Sequence, residues 1–451
     1  MNTERAETLA SRGLTDKNII IEILKEESPV PERLPAEMYD KVNYMCRRWM
    51  DRIARFEIDY DFIPDIDALK NIIICMLESA PVFHSRFVDN RIRPYWKVED
   101  YHIDDVFSAR ETDDLRRSAD DFLLGGIDVK SNVQIKIALF ICGAKSKLCF
   151  IFNHMCMDGG GLKSFLNDMF RAYDRYIQNH SVMLINKNLS RAYGCVYDGF
   201  GSDDKKKAKK LFANVSAKDK HSLPLSQRLE DDEKMIVRKK ISREIFEPAR
   251  IKAKEYGATV NDLISAAYIR AFYEISGCSP DERVGISCAV DLRRYIKNPE
   301  RIGYTNHTTF MPCVVQSKGE TMADTLKAVV KSTKETKSDR FMGLHGLPLL
   351  NIGYSTMIYA QAELVVGAFY NNANLSVSNV GKIEPAMLSL GENAPTAVAV
   401  AGGAKEKPCA AMNALSYNGD LMLSICIKGN ESDRRLLSDF LNRIEENIKL
   451  I

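Results

Sequence analysis

One histidine stands where general-base chemistry could occur. His154 follows the continuous apolar run Leu148–Phe152 and precedes Asp158, Gly159, Gly160 and a further glycine. An imidazole has an ordinary pKa near 6.5, so a neutral ring can accept a proton at neutral pH if a neighbour fixes which nitrogen is bare. The pattern predicts that His154 is a general base and that Asp158 braces the turn by pairing with an arginine from another strand. The glycines are predicted to let a ligand approach the backbone closely.

Simpler interpretations of the same residues stay open. A lone histidine beside an apolar strand is commonly structural, and Asp158 could cap the helix predicted from Leu162 onward. Cys156 lies inside the segment, but no helix N-terminus precedes it to activate a thiolate, so it is predicted to be packing. His154 and Asp158 offer two metal ligands without a third at a metal-site spacing, so no metal is predicted there.

The elements around His154 are predicted from hydrophobic periodicity. Apolar residues alternate from Val133 to Ile141, a turn follows at residues 143–147, and Leu148–Phe152 is apolar throughout, which predicts a hairpin with a doubly buried second strand. Beyond the glycines the apolar spacing becomes helical from Leu162 to Ile177. His154 is therefore expected between a buried strand and a helix.

Both halves of the chain read as mixed α and β. Helices are predicted at Glu37–Phe56 and Ile66–Ser79, and periodicity is lost between His180 and Glu233, where the basic run Lys205–Lys210 lies. The second half resumes regular patterns. Its predicted strands are Met235–Ile241, Val284–Val290, Thr308–Val315, Leu375–Val380, Ala397–Ala401 and Leu421–Ile427, and its predicted helices are Asn261–Ser276 and Asp433–Ile448.

Composition narrows the class of protein. The 451 residues carry a net charge of +2, which gives no overall field to attract nucleic acid, so no nucleic-acid partner is expected. No apolar stretch approaches the roughly 18 residues needed to cross a bilayer, and the first residues lack a signal-peptide core. The 11 cysteines form no C-x-x-C pair, which favours a reducing compartment. A cytoplasmic protein without a membrane span is expected.

The segment His154-Met155-Cys156-Met157-Asp158-Gly159 resembles the His-x-x-x-Asp-Gly motif of the CoA-dependent acyltransferase superfamily. That superfamily includes chloramphenicol acetyltransferase, plant alcohol acyltransferases, carnitine acyltransferases and condensation domains. The chain departs from two branches: Asn153 replaces the second histidine of condensation domains, and the plant Asp-Phe-Gly-Trp-Gly motif is absent. Weaker similarities lie at Phe83–Phe87, Thr259–Ile264, Val290–Arg294, Gly303–Asn306 and Ser376–Gly381.

The resemblance implies an α/β fold (α+β, with mixed sheets). Two chloramphenicol-acetyltransferase-like lobes would form a pseudo-dimer around a central tunnel. The N-terminal lobe, with the histidine motif, would span residues 1–180, a crossover linker residues 181–233, and the C-terminal lobe residues 234–451. Two lobes already complete such a tunnel, so a monomer is expected.

The resemblance also implies an activity and its residues. The chain would transfer an acyl group directly from a thioester, acyl-CoA or an acyl carrier protein, to the hydroxyl or amine of a small acceptor, with no bound cofactor. Arg86 or Arg293 would pair with Asp158, and Asn306, Ser376 and Ser378 would contact the oxyanion or substrate. Two alternatives stay open: a condensation-type enzyme that takes its acyl group only from a carrier protein, and a catalytically inert binding module. The basic run Lys205–Lys210 could attract the phosphates of CoA or the acidic surface of a carrier protein, or it could simply be solvated.

Overall fold

The computed structural model describes residues 3–16, 19–24, 31–90, 92–185, 191–211, 219–299, 302–369 and 373–451. The strands are β1 (Ile20–Leu24), β2 (Arg33–Pro35), β3 (Ile53–Tyr60), β4 (Ser85–Val88), β5 (Tyr95–Val98), β6 (Phe107–Glu111), β7 (Ile135–Cys142), β8 (Lys145–Asn153), β9 (Ser181–Ile185), β10 (Glu233–Ile241), β11 (Val284–Asp291), β12 (Thr308–Val315), β13 (Leu375–Ile383), β14 (Ala397–Ala401), β15 (Ala410–Tyr417) and β16 (Asp420–Gly429). The α-helices are α1 (Thr3–Ser11), α2 (Met38–Met45), α3 (Ile66–Ser79), α4 (Ile103–Val106), α5 (Leu115–Leu123), α6 (Gly159–Asn179), α7 (Ser202–Ala208), α8 (Arg243–Glu255), α9 (Val260–Ser276), α10 (Met322–Lys337), α11 (Leu347–Thr356), α12 (Tyr359–Phe369) and α13 (Glu431–Lys449).

A five-stranded mixed sheet, in the order β14-β3-β8-β7-β6, carries the histidine segment at the end of β8. Phe56, Leu148 and Phe150 on one face join the apolar core that also contains α3 and α6. Cys149 and Ile151, on the other face of β8, join a smaller core with α5 and with Ile236 and Cys426 of a second sheet. Strand β8 is therefore buried on both faces, as its unbroken apolar run predicts.

A six-stranded mixed sheet, in the order β10-β16-β15-β13-β11-β12, forms the other lobe. Leu375 and Val377 of β13 point into a core shared with α9, α10 and α13. The intervening Ser376 and Ser378 are only half-buried, as expected for a strand whose other face does not meet the helices. Two further sheets are small, with the orders β2-β5-β4 and β1-β9.

One strand crosses between the lobes. β14 lies in the second half of the sequence but pairs antiparallel with β3 of the five-stranded sheet, so that Val398 stands opposite Ile58. Residues 397–401 thus complete the sheet of the predicted N-terminal lobe, and a cut at residues 181–233 would not separate the two sheets.

The fold class is confirmed: mixed sheets and helices form two lobes with separate main cores. The predicted helix Ile66–Ser79 and the strands Thr308–Val315 and Ala397–Ala401 have the predicted bounds. The predicted helix Glu37–Phe56 is wrong beyond Met45, because Ile53–Tyr60 is strand β3. Pairing with β8 on one side and β14 on the other overrides the helical spacing there. Among the described residues, no helix is both long and apolar enough to cross a membrane.

Candidate active site

The histidine segment is a tight turn fixed by its backbone at the end of β8. The His154 N–H donates to the Arg52 carbonyl at 2.6 Å, and the Cys156 N–H donates to the Asn153 carbonyl at 2.8 Å. The Asn153 side chain accepts from the Met155 N–H at 3.1 Å. Because Asn153 is 1% exposed, the turn is held from inside the protein, and His154 is placed at its half-buried outer side.

Asp158 joins this turn to the other lobe. Its carboxylate, 1% exposed, faces the Arg293 guanidinium with Nη2–Oδ1 at 2.9 Å and Nη1–Oδ2 at 3.2 Å. The His307 N–H and the Thr308 hydroxyl also donate to Oδ2, at 2.7 and 2.8 Å. The Gly161 N–H donates to Oδ1 at 2.8 Å, so Asp158 is also the N-cap of α6. The capping and bracing interpretations of Asp158 therefore both describe its contacts.

The electrostatics of Asp158 favour the charged form. Burial alone would raise the pKa of this carboxyl, but the Arg293 charge and the donated hydrogen bonds from Arg293, Gly161 and His307 hold it well below its usual range. Arg293 also donates to the Thr305 carbonyl at 2.7 Å. The ion pair thereby positions the chain segment that contains Asn306.

Asn306 fixes the orientation and tautomer of His154. The Asn306 amide nitrogen donates to the His154 and Met155 carbonyls, at 2.8 and 3.1 Å. Its Oδ1 must therefore face the His154 ring, where it lies 3.1 Å from Nδ1. Since Oδ1 can only accept, the proton of the neutral ring lies on Nδ1, and Nε2 is bare. Both ends of the Asn306 amide are engaged by the histidine segment, so the predicted oxyanion contact from this residue does not fit the geometry.

The surroundings also keep the His154 ring neutral. Burial lowers its pKa below the ordinary 6.5; the Asp158 charge acts in the opposite direction, and the Lys405 charge lowers it further. The next histidine of this region, His307, is fully buried, and burial followed by the Arg293 charge lowers its pKa to about 4.

Of the two arginines predicted to pair with Asp158, only one does so. Arg293 contacts Asp158, whereas Arg86 of β4 pairs with Glu99, with Nε–Oε1 at 3.1 Å, and is partly exposed. Arg86 as a partner of Asp158 is therefore a wrong prediction. The reason is its sheet: β4 pairs with β5 of the small three-stranded sheet, which gives Arg86 a carboxylate of its own.

The predicted serines lie on the face of the six-stranded sheet that meets the histidine segment. Ser376 pairs with Ser287, and alternation places both on the face of Thr308, whose hydroxyl contacts Asp158. Val380, two residues beyond Ser378, lies 3.4 Å from a Cβ built on Gly159. Ser376 lines a cavity of ≈ 40 Å³ between the lobes. The cavity is lined by Trp49, Ser287, Phe310, Ala373, Asn374, Ser376, Lys405, Cys409 and Ala410.

The glycines serve contacts within the protein. A Cβ on Gly160 would lie 2.4 Å from Arg293 Nη1 and 2.7 Å from Asp291 Oδ2. One on Gly161 would lie 2.8 Å from the Met157 side chain. The missing side chain of Gly160 therefore leaves room for the Asp158 ion pair. That Gly159 and Gly160 also let a ligand approach the backbone stays a prediction.

Gly160→Ala is expected to destabilise the protein by about 1–3 kcal/mol, as overpacking does. Arg293 cannot move aside without leaving Asp158, and this cost opposes the gain of about 1 kcal/mol that Ala normally gives over Gly in a helix. Urea unfolding measures the difference. Gly126→Ala is the control, since nothing lies within 4 Å of its added Cβ. Equal stability of the two variants would contradict the packing role of Gly160.

Sequence reasoning missed a second buried ion pair behind the turn. Arg191 donates to both Asp40 oxygens, at 3.0 and 2.9 Å, and to the Tyr304 carbonyl at 3.1 Å. Asp40 also accepts from the Trp96 indole at 2.8 Å. This pair ties residue 191, after β9, to the segment that carries Asn306. The sequence offers no local signal for this pair, because Arg191 and Asp40 are 151 residues apart.

Many solved structures are similar to the chain over nearly its whole length, and three of them represent the range of proteins. The first condensation domain of the calcium-dependent antibiotic synthetase has a TM-score of 0.68 at 13% identity, covering 93% of this chain and 97% of that one. The trichothecene 15-O-acetyltransferase from Fusarium sporotrichioides has a TM-score of 0.67 at 14% identity, covering 94% and 97%. The polyketide synthase associated protein 5 from Mycobacterium tuberculosis has a TM-score of 0.65 at 12% identity, covering 94% and 99%.

The chain has the two-lobed fold of these three structures. No protein-family model matches the chain, and no curated protein matches it in sequence. The fold is thus shared with these structures at only 12–14% sequence identity. Within that fold, Cys156 is fully buried and burial raises the pKa of its thiol, which agrees with a packing role.

Proposed function

We propose that the chain is an acyltransferase in which His154 is the general base. The main observation behind this proposal is the contact between Asn306 Oδ1 and His154 Nδ1 at 3.1 Å, which leaves Nε2 bare. Burial lowers the pKa of the ring and so keeps it neutral. The fold, shared with condensation domains and an acetyltransferase, supports acyl transfer. The donor is a thioester of CoA or of a carrier protein, and the acceptor is a small alcohol or amine.

The reaction needs one proton relay and no acyl-enzyme. The acceptor oxygen or nitrogen attacks the thioester carbonyl carbon while its proton passes to His154 Nε2. The tetrahedral intermediate then collapses, the C–S bond breaks, and the leaving thiolate takes the proton from the imidazolium. Asp158 does not exchange protons in this reaction, because its ion pair with Arg293 strongly favours the charged carboxylate. Its role is to hold the turn and the segment that contains Asn306 in a fixed position relative to each other.

The developing oxyanion requires donors on the side opposite the base. Ser376 and Ser378 are our candidates, because they lie on the sheet face that meets the histidine segment and are only half-buried. Lys405 lines the same cavity as Ser376, and its Nζ lies 2.8 Å from Met50 Sδ. A positive charge there also favours a thioester oxygen that gains negative charge.

The function is tested by thiol release from acetyl-CoA, from longer acyl-CoAs and from an acylated carrier protein, each with pooled alcohols and amines. Mass spectrometry identifies the acylated acceptor. Turnover with acyl-CoA supports the proposed donor. Turnover from the carrier protein alone assigns the condensation-type alternative, and the absence of any acylated product with every donor would sink the acyltransferase proposal in favour of the inert module.

The pH profile should reflect the lowered pKa of His154. The base is active when neutral, so kcat/KM should rise with pH through a midpoint below 6.5 and then level off. Because the Lys405 charge lowers this pKa and the Asp158 charge raises it, Lys405→Met should move the midpoint to higher pH. A midpoint above 6.5 in the wild type, or one that moves to lower pH in the variant, would contradict this account of the base.

A further inference from the structure

Three side chains of metal-ligand type converge at the surface of the second lobe, apart from the histidine segment. His221 Nε2 lies 2.9 Å from Glu282 Oε1, and Cys278 Sγ lies 3.2 Å from Glu282 Oε2. Cys278 Sγ lies 3.9 Å from His221 Nε2. The ligand atoms all lie within 4.8 Å of one another. Residues from two distant parts of the chain thus offer sulfur, nitrogen and oxygen around one point.

The His221 ring is held so that Nε2 faces this point. Asp219 Oδ1 lies 2.7 Å from His221 Nδ1, and the Asp219 carboxylate is buried and accepts from the Gly285 N–H at 2.6 Å. The His221 ring packs against the Phe272 ring in a T-shaped arrangement, with centroids 5.8 Å apart. A carboxylate that binds the second nitrogen of a metal-ligating histidine is a recurrent arrangement, because it fixes the tautomer and the ring direction.

The other two ligands lie in the loop between α9 and β11. Gly277 ends α9 in a left-handed conformation with φ 70°, and Cys278 follows at once. The Cys278 N–H donates to Ser276 Oγ at 3.2 Å, and the Glu282 N–H donates to the Ser279 carbonyl at 3.0 Å. The loop is therefore folded back on itself, with the thiol and the carboxylate on the side of His221.

We propose that His221, Cys278 and Glu282 bind a zinc ion. Tetrahedral Zn²⁺ with bonds of about 2.0–2.3 Å places its ligand atoms roughly 3.3–3.7 Å apart, and the observed separations of 2.9, 3.2 and 3.9 Å bracket that range. A thiolate, an imidazole and a carboxylate together suit zinc better than Mg²⁺ or Ca²⁺. Glu282 is exposed and borders an open cleft, so the fourth position is available to water or to an incoming ligand.

The ion would clamp the chain that leads into β10 to the core of the second lobe. Asp219 and His221 lie on that chain, whereas Cys278 and Glu282 belong to the loop that enters β11. The Lys220 carbonyl between the two former residues accepts from the Asn374 amide at 2.9 Å, so the same chain also contacts the start of β13. Zinc at this place would add a link between segments 57–61 residues apart.

The test is a titration of the chelator-treated full chain with Co²⁺, followed by competition with Zn²⁺. We expect one equivalent of Co²⁺, a thiolate-to-cobalt charge-transfer band, and displacement of that band by one equivalent of Zn²⁺. Cys278→Ser should abolish the band, and Glu282→Gln should weaken binding. Asp219→Asn should weaken zinc affinity about 10–100-fold, as removal of a partner behind a ligand does.

Cys142→Ser is the matched control, because Cys142 is also a partly exposed free cysteine but lies in the β7–β8 hairpin. It should bind as the wild type does. Absence of the band in wild type, or a band that persists in Cys278→Ser, would overturn the proposal and leave a hydrogen-bonded His-Glu-Cys cluster. Circular dichroism of each variant separates lost metal binding from lost folding. Because the Glu282 side chain is exposed, Glu282→Gln is expected to fold as the wild type does.

Discussion

His154→Ala is expected to lower kcat/KM for acyl transfer by roughly 10²–10⁴-fold, the usual contribution of a positioned general base. The Asn306 contact leaves Nε2 of the neutral ring bare, and no other described side chain of the turn can take its place. Asp158 is engaged by Arg293, and the Cys156 thiol is buried. The measurement is the initial rate of thiol release, compared with the wild type, for the donor and acceptor that the assay under "Proposed function" selects.

This loss should be one of chemistry and not of folding. His154 is half-buried and its side chain contacts Asn306, so its removal should leave the thermal unfolding temperature close to that of the wild type. His102→Ala changes an exposed histidine outside the turn and should keep full activity. A His154→Ala variant that stays folded and retains more than about a tenth of the wild-type rate would remove the histidine from the role of base.

Arg293→Met is expected to destabilise the protein by about 3–5 kcal/mol, the cost of leaving a buried charge without its partner. Asp158 is 1% exposed and would lose both guanidinium contacts. The Thr305 carbonyl would lose its donor as well, so the segment that contains Asn306 should shift from its position. Activity should therefore fall together with stability. Urea unfolding, followed by fluorescence, measures the change.

Two comparisons separate the ion pair from general effects of the substitution. Arg294→Met alters the adjacent, exposed arginine and should change the free energy of unfolding by less than about 0.5 kcal/mol. The double variant Arg293→Met with Asp158→Asn should be more stable than Arg293→Met alone, because no charge is then left buried. Equal stability of the Arg293 and Arg294 variants would refute the bracing role of Arg293.

Local sequence patterns predicted the parts of the site that are local in the chain. The alternation in β7, the apolar run in β8 and the helical stripe after the glycines placed His154 between a strand and a helix, where the structure has it. These elements bury periodic apolar faces against one core, so their periodicity is visible in the sequence.

Contacts between distant segments could not be predicted in the same way. Asp158 and Arg293 are 135 residues apart, and nothing local distinguishes Arg293 from Arg86, since each lies in or next to a short strand-like segment. The tautomer-fixing role of Asn306 depends on two carbonyls that only the folded turn brings to its amide. Likewise, the contact between Gly160 and the Arg293 guanidinium could not be predicted, because Arg293 comes from the other half of the sequence.

The most direct test of the account is the tautomer of His154, because it requires no knowledge of the substrate. ¹⁵N-histidine NMR of the wild type at neutral pH, with His154→Ala to assign the signal, should show a neutral ring with its proton on Nδ1. Asn306→Ala should reduce that preference. A His154 ring that carries its proton on Nε2, or that is charged at neutral pH, would contradict the proposal that this histidine is poised as the base.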